Sequence, residues 1–511
     1  MGKNNWLPRV AASAAVLGAC AVAAPANAAD AAEGGERLAR YHAQELDWHA
    51  CALGPEDEVG RELDAAGADC AELTVPLDYA EPGGRTITVA LSRLPAADRE
   101  HRVGPLFLNN GGPGGAGLDM PLTVGAAMGD VAERFDLIGM DPRFVGRSTP
   151  LDCGWDIGTG IYSAGPDRAS FAASAARARE LAERCRRAAG DLLPHVSTRN
   201  TARDMDVLRG ALGEDRISYL GYSYGSYLGE VYAALFPGRT DRMVLDGVIH
   251  PDRYRQTLLQ GAEAANESAL RGWADWVAER DDAYGLGASR DAVLAAVDRI
   301  HQAAAEKPLE VGEFRLDAHL LPIVFFGGLG SDLDERRAAL AESAAVLARA
   351  AAGEQVEPGP GLAEELAWLT TGAGSRQASA QTAVICGDVA ERRGLGAYWR
   401  DIQGSRAEYP FAGPLASNVN PCEYWGRPAE GPTALPDDVP ALLVAATGDP
   451  RTVYEGTTEV RADWPSSRLV TVAGAAQHGL FGEYGNACVD ARVNVYLAEG
   501  RLPARDLTCR P

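Results

Sequence analysis

The segment 217–229, with the sequence ISYLGYSYGSYLG, constrains the fold of this chain more than any other stretch. Residues 217–220 favour a β-strand, residues 226–234 are compatible with a helix, and GYSYG lies between them. A G-x-S-x-G sequence at a strand-to-helix turn is typical of a nucleophile elbow, whose glycines allow close backbone approach. Chance matches also occur in a chain with 58 glycines. The flanking strand and helix favour Ser223 as an exposed nucleophile.

Short apolar runs and helical segments alternate on both sides of this elbow. Such alternation predicts an α/β fold with a mostly parallel sheet and helices on both faces. An antiparallel pair within 73–94, around a Pro-Gly turn, would begin the sheet. Asp141 and Arg143, which follow a predicted strand, are expected to form a structural ion pair. The predicted strands are 105–109, 135–140, 217–220, 243–249, 441–446 and 469–472, and predicted helices include 170–189 and 201–212.

A long interior segment differs in character from the rest of the chain. From 251 to 436 the sequence is rich in Ala, Glu and Arg at helical spacing and lacks core strands. We interpret it as a helical cap inserted into the sheet domain, with Trp273 and Trp276 packed inside it. The predicted division is a signal peptide at 1–28, the first part of the core at 29–250, the cap at 251–436 and the C-terminal part of the core at 437–511.

The N-terminus has the features of a secretory signal. Lys3 and Arg9 precede a short apolar run at 10–24, and Ala26-Asn27-Ala28 follows it. This order predicts export and cleavage after Ala28, and the run is too short to predict a transmembrane span. An alternative is the lipobox-like sequence Leu17-Gly18-Ala19-Cys20, which would place a lipid on Cys20 at the cell surface.

The cysteine count fits export. Removing the leader leaves eight cysteines, and an even number in an exported protein predicts disulfides. No C-x-x-C or H-E-x-x-H sequence is present, so no metal site is predicted. The simplest pairing joins sequence neighbours, which are Cys51–Cys70, Cys153–Cys185, Cys386–Cys422 and Cys488–Cys509.

The charge balance argues against one class of partner. The chain has 71 acidic and 48 basic residues, a formal net charge of −23. Because nucleic-acid backbones are anionic, this excess of acid excludes a nucleic-acid partner from the prediction.

The glycine-rich loop 110–117, NGGPGGAG, follows a predicted strand and admits two interpretations. Gly112, Gly114 and Gly117 match the G-x-G-x-x-G sequence of dinucleotide sites, but Pro113 removes a donor where a pyrophosphate would approach. The other interpretation is an oxyanion hole, formed by the backbone N–H of Gly112 together with that of Tyr224. The downstream elbow favours the oxyanion hole, and we predict no cofactor.

Candidate acid and base residues follow the last two predicted strands. Asp449 follows the strand at 441–446 and His478 follows the strand at 469–472, where catalytic groups of open α/β sheets lie. The order Ser223, Asp449, His478 is that of an α/β-hydrolase, and Asp246 is the alternative acid. The other histidines after the elbow fall in the cap or close a strand, and they are His250, His301 and His319.

Further motifs accompany these residues along most of the chain, namely Val75-Pro76-Leu77-Asp78-Tyr79, Gly111-Gly112-Pro113-Gly114, Asp141-Pro142-Arg143, Val244-Leu245-Asp246-Gly247, Asp449-Pro450 and the tail 488–509. With the elbow, they resemble the secreted tripeptidyl aminopeptidases of actinobacteria, which are relatives of the proline iminopeptidases with an α/β-hydrolase fold. The resemblance implies a catalytic triad of Ser223, Asp449 and His478.

Three departures from the family pattern leave the triad intact. Phe144 stands where relatives often have glycine, Asn110 replaces the histidine of the H-G-G-P-G motif, and 451–453 replaces a common Thr-Pro pair. These changes bear on pocket shape, so the length and side-chain preference of the substrate stay open.

The resulting expectation is a secreted serine exopeptidase that releases tripeptides or similar short peptides from free N-termini. In the related iminopeptidases cap carboxylates bind the substrate ammonium, and Asp388, beside Cys386, is the first candidate here. The alternatives are a secreted carboxylesterase of the same fold and a binding protein on a hydrolase scaffold, which would be expected to lack a triad member. The sequence does not indicate an oligomeric state.

Overall fold

The computed structural model describes residues 38–511, so the predicted signal peptide, its cleavage after Ala28 and Cys20 lie outside the described residues. Within this range a nine-stranded sheet has the order β1-β2-β4-β3-β5-β6-β9-β10-β11. A separate two-stranded sheet is formed by β7 and β8. The strands are β1 Asp69–Pro76, β2 Thr86–Leu94, β3 Gly104–Asn109, β4 Phe135–Met140, β5 Ile217–Tyr222, β6 Thr240–Asp246, β7 Leu309–Val311, β8 Phe314–Leu316, β9 Leu442–Ala446, β10 Arg468–Val472 and β11 Leu507–Cys509.

The sheet is antiparallel at one end and parallel through the rest. Strand β1 pairs antiparallel with β2, with Leu73 opposite Val89, and β2 pairs antiparallel with β4. All later neighbours, from β4 and β3 to β10 and β11, are parallel. The predicted antiparallel start and mostly parallel sheet are therefore confirmed. Strand β6 ends at Asp246, earlier than predicted, because Gly247 takes a φ of +69° and turns the chain.

Helices connect the strands and cover both faces of the sheet. On β5, Tyr219 packs in one buried cluster with the helix that follows the strand, while Leu220 packs in a second cluster with the C-terminal helix. Because successive side chains of a strand point to opposite faces, β5 contributes to a hydrophobic core on each face of the sheet. The helices are α1 Glu58–Ala65, α2 Met120–Met128, α3 Arg168–Ala189, α4 Thr198–Ala211, α5 Tyr224–Leu235, α6 Glu263–Ala278, α7 Asp281–Tyr284, α8 Arg290–Glu306, α9 Leu321–Gly328, α10 Asp334–Ala351, α11 Pro360–Thr370, α12 Ser375–Val389, α13 Leu395–Glu408, α14 Gly413–Ala416, α15 Tyr454–Asp463 and α16 Ala487–Glu499.

Between β6 and β9 the chain forms helices α6 to α14 and the β7–β8 hairpin, the segment that the sequence assigns to a cap. Trp273 and Trp276 are buried there, and their indole N–H groups donate to Arg337 O at 3.1 Å and to Asp334 Oδ1 at 2.8 Å. The segment 153–164 joins the same helices, since Cys153 N donates to Ser379 Oγ at 3.1 Å. Sequence reasoning did not assign this segment to the cap, and the division at 251 and 436 stays a prediction.

Four disulfides pair the cysteines as sequence proximity predicts. They join Cys51 to Cys70, Cys153 to Cys185, Cys386 to Cys422 and Cys488 to Cys509. No helix in residues 38–511 is both long and apolar enough to cross a membrane, and no group of three or more His, Cys, Asp or Glu in that range is placed to hold a metal ion.

The expected pair between Asp141 and Arg143 is wrong. Arg143 instead makes a bidentate ion pair with Asp204 on α4, with Nη2–Oδ1 at 2.6 Å and Nε–Oδ2 at 2.7 Å, and both side chains are fully buried. Asp141 accepts hydrogen bonds from the backbone N–H groups of Gly117 at 2.8 Å and Arg147 at 2.7 Å. Arg143 therefore links the sheet to α4, while Asp141 fixes the glycine-rich loop.

Replacing one partner of the buried pair should destabilise the fold. We expect Asp204→Asn to lower the free energy of unfolding by about 3 kcal/mol, because it leaves the Arg143 charge buried without a counter-charge. The control is Asp191→Asn, whose carboxylate pairs with Arg85 while 71% exposed and should contribute less than about 1 kcal/mol. Urea denaturation measures both, and equal losses would contradict this account.

Candidate active site

The elbow places Ser223 in a strained backbone conformation between β5 and α5. Its φ is 56° and its ψ is −124°, and Ser223 and Phe144 alone among the described non-glycine residues have a positive φ. A Cβ at Gly221 would lie 2.5 Å from Gly225 O, and one at Gly225 would lie 2.8 Å from Asn109 O. Contacts this short leave no room for a side chain, so both flanking positions require glycine.

The glycine-rich loop lies against the elbow. A Cβ at Gly111 would lie 2.4 Å from Tyr222 O and 3.2 Å from Tyr224 N. The N–H of Gly111 already donates to Asn109 Oδ1 at 3.0 Å. By contrast, the N–H groups of Gly112 and Tyr224 have no protein partner in residues 38–511. Two backbone N–H groups that lack an acceptor and lie near Ser223 are what an oxyanion hole requires.

His478 and Asp449 come together from the carboxyl ends of β10 and β9. The Nδ1 atom of His478 lies 2.9 Å from Asp449 Oδ2 and 3.1 Å from Oδ1. A carboxylate only accepts, so Nδ1 carries the proton and Nε2 is left free to accept one. Thr452 Oγ1 also donates to Asp449 Oδ2, at 2.7 Å. Burial alone would raise the pKa of Asp449, but the imidazole charge and these hydrogen bonds hold it below its usual value.

Asp246, the alternative acid, has a different role in the structure. It is buried at the end of β6, and its Oδ2 accepts hydrogen bonds from the N–H groups of Leu480 at 2.9 Å and Phe481 at 2.8 Å. It makes no hydrogen bond to the His478 ring, whose Nδ1 is held by Asp449. Asp246 therefore fixes the loop that carries His478, and burial raises its pKa to about 7.

Ser223, Tyr224, Gly112 and His478 all line one cavity of about 380 Å³. Its other sides come from the cap, from the segment 160–162 and from the loop after β9. No carboxylate side chain lines it among the described residues. Neutral amide side chains do, and these are Asn110, Gln256, Gln381, Asn418 and Asn420.

Asp388 does not line this cavity. It accepts hydrogen bonds from the backbone N–H of Thr198 at 2.9 Å, from the Thr198 hydroxyl at 2.6 Å and from the Tyr254 hydroxyl at 3.1 Å. Burial raises its pKa to about 6 despite these donors. Because Tyr254 stands between Asp388 and the cavity, the structure does not support direct contact between Asp388 and a substrate ammonium.

Sequence reasoning missed the part played by Arg451 and Thr452, which it noted only as departures from the family pattern. Arg451 is half-buried, with its guanidinium carbon 3.6 Å from the centre of the Phe326 ring, and it donates to Phe326 O and to Asn266 Oδ1, the latter at 2.9 Å. Burial lowers its pKa to about 10. The sequence feature that could have indicated this part is the position of Arg451 and Thr452 directly after Asp449 and Pro450.

Removing the nucleophile should abolish covalent labelling. We expect Ser223→Ala to prevent reaction with a fluorophosphonate probe and to eliminate hydrolysis, since the neighbouring hydroxyls of Tyr222 and Tyr224 are hydrogen-bonded to Phe481 O and to Thr198. Mass spectrometry of the treated protein measures the adduct. An adduct that persists in the variant would show that a different residue is the nucleophile.

The effects of two matched variants on kcat should distinguish the role of Asp449 from that of Asp246. Asp449→Asn should lower kcat on the order of 10⁴-fold, because the amide favours the wrong imidazole tautomer. Asp246→Asn should keep kcat within about tenfold, since it does not contact the ring. The opposite ranking would make Asp246 the catalytic acid.

Asp246→Asn should also change how stability depends on pH. The folded pKa of Asp246 is about 7, whereas an aspartate in an unfolded chain titrates near 3.9. Between these values the folded state holds a proton that the unfolded state has released, so stability falls as pH rises. The variant should lose less stability than the wild type between about pH 4 and pH 7. Melting temperatures across this range test the difference, and parallel curves would contradict it.

The chain is similar to known families and proteins along most of its length. Residues 104–296 match the alpha/beta hydrolase fold family, and residues 409–509 match a family described as TAP-like protein. The chain is 35% identical to the tripeptidyl aminopeptidase of Streptomyces lividans, over 91% of this chain and 87% of that protein. It is 28% identical to the serine protease Hip1 of Mycobacterium tuberculosis, over 91% of each chain. It is also 30% identical to a protein named carboxylesterase B from Mycobacterium tuberculosis, over 92% of this chain and 91% of that one.

The first of these similarities extends through both parts of the sheet and the intervening cap. On that basis the chain belongs to the tripeptidyl aminopeptidase family of the α/β-hydrolase fold.

Proposed function

We propose that this protein is a secreted serine aminopeptidase that releases short peptides, about three residues long, from free N-termini. The observation that carries the proposal is the convergence of Ser223, the His478–Asp449 pair and two unfilled N–H donors on one cavity. The family relatives named tripeptidyl aminopeptidase and serine protease support the choice of a peptide bond.

The proposed chemistry follows from the positions of these groups. His478 Nε2 takes the proton of the Ser223 hydroxyl as its oxygen attacks the scissile carbonyl carbon. The carbonyl oxygen gains negative charge and is stabilised by the N–H groups of Tyr224 and Gly112. His478 then gives the proton to the departing nitrogen, the C–N bond breaks, and water hydrolyses the acyl-enzyme by the reverse transfers. Asp449 holds the imidazole tautomer throughout.

The cavity limits what can be attached to the scissile carbonyl. Its volume of about 380 Å³ lies near the low end of the range for small-ligand sites, which suits a short peptide better than a long chain. The substrate ammonium would meet neutral oxygen acceptors here, because carboxylates do not line this part of the described structure. We assign this contact to Gln381, which lines the cavity.

Export is the second element of the proposal. Four disulfides require an oxidising compartment in most organisms, which agrees with the signal sequence at 1–28. Intact-mass measurement should give a mature protein that begins at Ala29. A diacylglycerol adduct on Cys20 would favour the lipoprotein alternative.

A carboxylesterase is the second candidate, because one relative bears that name and the same triad cleaves esters. The test compares a tripeptide p-nitroanilide with a free N-terminus, its N-acetylated form and a simple p-nitrophenyl ester. The free peptide should show a kcat/KM at least about tenfold above the acetylated one, since a charge-assisted hydrogen bond is lost on acetylation. Equal turnover of the two anilides would refute the aminopeptidase, and turnover of the ester alone would establish the esterase.

A further inference from the structure

A second cavity, of about 690 Å³, borders His478 away from the nucleophile. Its lining includes His478, Gln477, Arg451 and Phe326, but none of Ser223, Tyr224 or Gly112. We call it the His-side cavity, and we call the one that contains Ser223 the Ser-side cavity. The two share His478, Arg451 and Phe326.

The shared residues are held firmly in place. Arg451 stacks on the Phe326 ring and donates to the Phe326 carbonyl, which fixes the acid loop to the end of α9. The N–H of His478 donates to Gly330 O at 2.9 Å, and the N–H of Ala476 donates to Asp332 Oδ2 at 2.7 Å. The segment 326–332 therefore packs on both loops, and the two cavities adjoin at Phe326, Arg451 and His478.

The two cavities differ in charge. The Ser-side cavity has no carboxylate in its described lining, whereas the His-side cavity has Glu335, Glu342, Glu365 and Glu483 against Arg336 and Arg451. Glu365 lines this cavity, makes no hydrogen bond within residues 38–511, and has its pKa raised to about 7 by burial. A cationic ligand bound beside it would favour its ionised form, so the His-side cavity suits a cation.

Gln477 gives an independent sign that this cavity takes a hydrogen-bond donor. Its side chain is 6% exposed, and its Nε2 donates to His478 O and Gly479 O, both at 2.9 Å. Since both donor positions of the amide are used, the orientation of the amide is fixed and Oε1 is the acceptor. That buried Oε1 has no partner in the described part of the chain. A buried acceptor of this kind costs free energy unless a ligand or solvent fills it.

We propose that the His-side cavity is the site for the departing polypeptide, and that it favours a basic residue immediately after the cleaved bond. This inference rests on the proposed peptidase function. The acyl group must lie beside Ser223 and the oxyanion donors, and His478 Nε2 must reach the leaving nitrogen as well as the Ser223 hydroxyl. The chain beyond that nitrogen therefore extends past the imidazole, where the His-side cavity begins. The neutral amine then gains a proton from solvent, and the resulting ammonium meets Gln477 Oε1 and the glutamates.

The test uses two hexapeptides that share their first three residues and differ only at the fourth, which is Arg in one and Glu in the other. The matching tripeptide p-nitroanilide has a neutral leaving group and serves as the reference substrate. Wild-type enzyme should cleave the Arg peptide with a kcat/KM about tenfold above that of the Glu peptide. Glu365→Gln and Glu342→Gln should each reduce this ratio by about threefold or more and leave anilide turnover unchanged.

The matched control is Glu364→Gln. Glu364 is exposed, lies on the same helix as Glu365 and does not line the cavity, so this variant should keep the wild-type ratio. Equal cleavage of the two hexapeptides by wild type, or an unchanged ratio in Glu365→Gln, would overturn the inference while anilide turnover still upheld the peptidase. A fall in anilide turnover in Glu365→Gln would also overturn it, because it would place that carboxylate on the N-terminal side of the substrate. Absence of anilide turnover in wild type would instead refute the proposed function.

Discussion

The left-handed backbone of Ser223 is the constraint on which the rest of the site depends. A non-glycine residue with a positive φ is costly, and the cost is met only where surrounding packing leaves no alternative. Here close backbone packing at Gly221, Gly225 and Gly111 leaves Ser223 no other backbone conformation. An added Cβ at any of the three glycines would lie less than 3 Å from a neighbouring carbonyl oxygen. The contact at Gly111 also brings the next loop residue, Gly112, beside the elbow. The position of the Ser223 hydroxyl and of the proposed oxyanion donors is therefore the product of one steric arrangement.

The cap is joined to the catalytic loops by direct contacts. Arg451, two residues after Asp449, stacks on Phe326, and the backbone of His478 is hydrogen-bonded to Gly330. A shift of α9 would consequently move the imidazole and the acid loop together. The same few contacts therefore position His478 and the Asp449 loop and shape the two cavities. For this reason we expect substitutions in the cap to alter turnover as well as specificity.

Features fixed by local sequence were predictable, and features fixed by long-range contacts were not. The elbow, the buried strands and the disulfides depend on neighbouring residues or on apolar runs, and each was confirmed. The pairing of Arg143 with Asp204 joins residues 61 positions apart, so the sequence favoured the nearer Asp141. Asp388 was chosen for its disulfide neighbour, but its partners Thr198 and Tyr254 come from elsewhere in the fold. Both cavities are assembled from separated segments, and the elbow and the glycine-rich loop mark only one side of the Ser-side cavity.

Phe144 shows how a departure from a family pattern can acquire a physical meaning. The structure gives Phe144 a φ of 70°, which glycine adopts without strain. The side chain is 2% exposed and belongs to the main hydrophobic cluster. Burial of a phenylalanine contributes about 1.5–3 kcal/mol, which is enough to offset a left-handed backbone. Burial of the ring thus accommodates a turn that glycine would adopt without strain.

Asp246 and Asp449 show that hydrogen-bond partners, not burial alone, decide which acid serves the histidine. Both are buried at the ends of strands β6 and β9, which are neighbours in the sheet. Burial raises the pKa of Asp246, because only its Oδ2 has donors and its Oδ1 has none in residues 38–511. In Asp449 both oxygens accept hydrogen bonds, including those from Thr452 and the imidazole, and its pKa is lowered. A carboxylate that stays ionised can stabilise the imidazolium formed when His478 takes the serine proton, whereas one that is half-protonated near neutral pH stabilises it less.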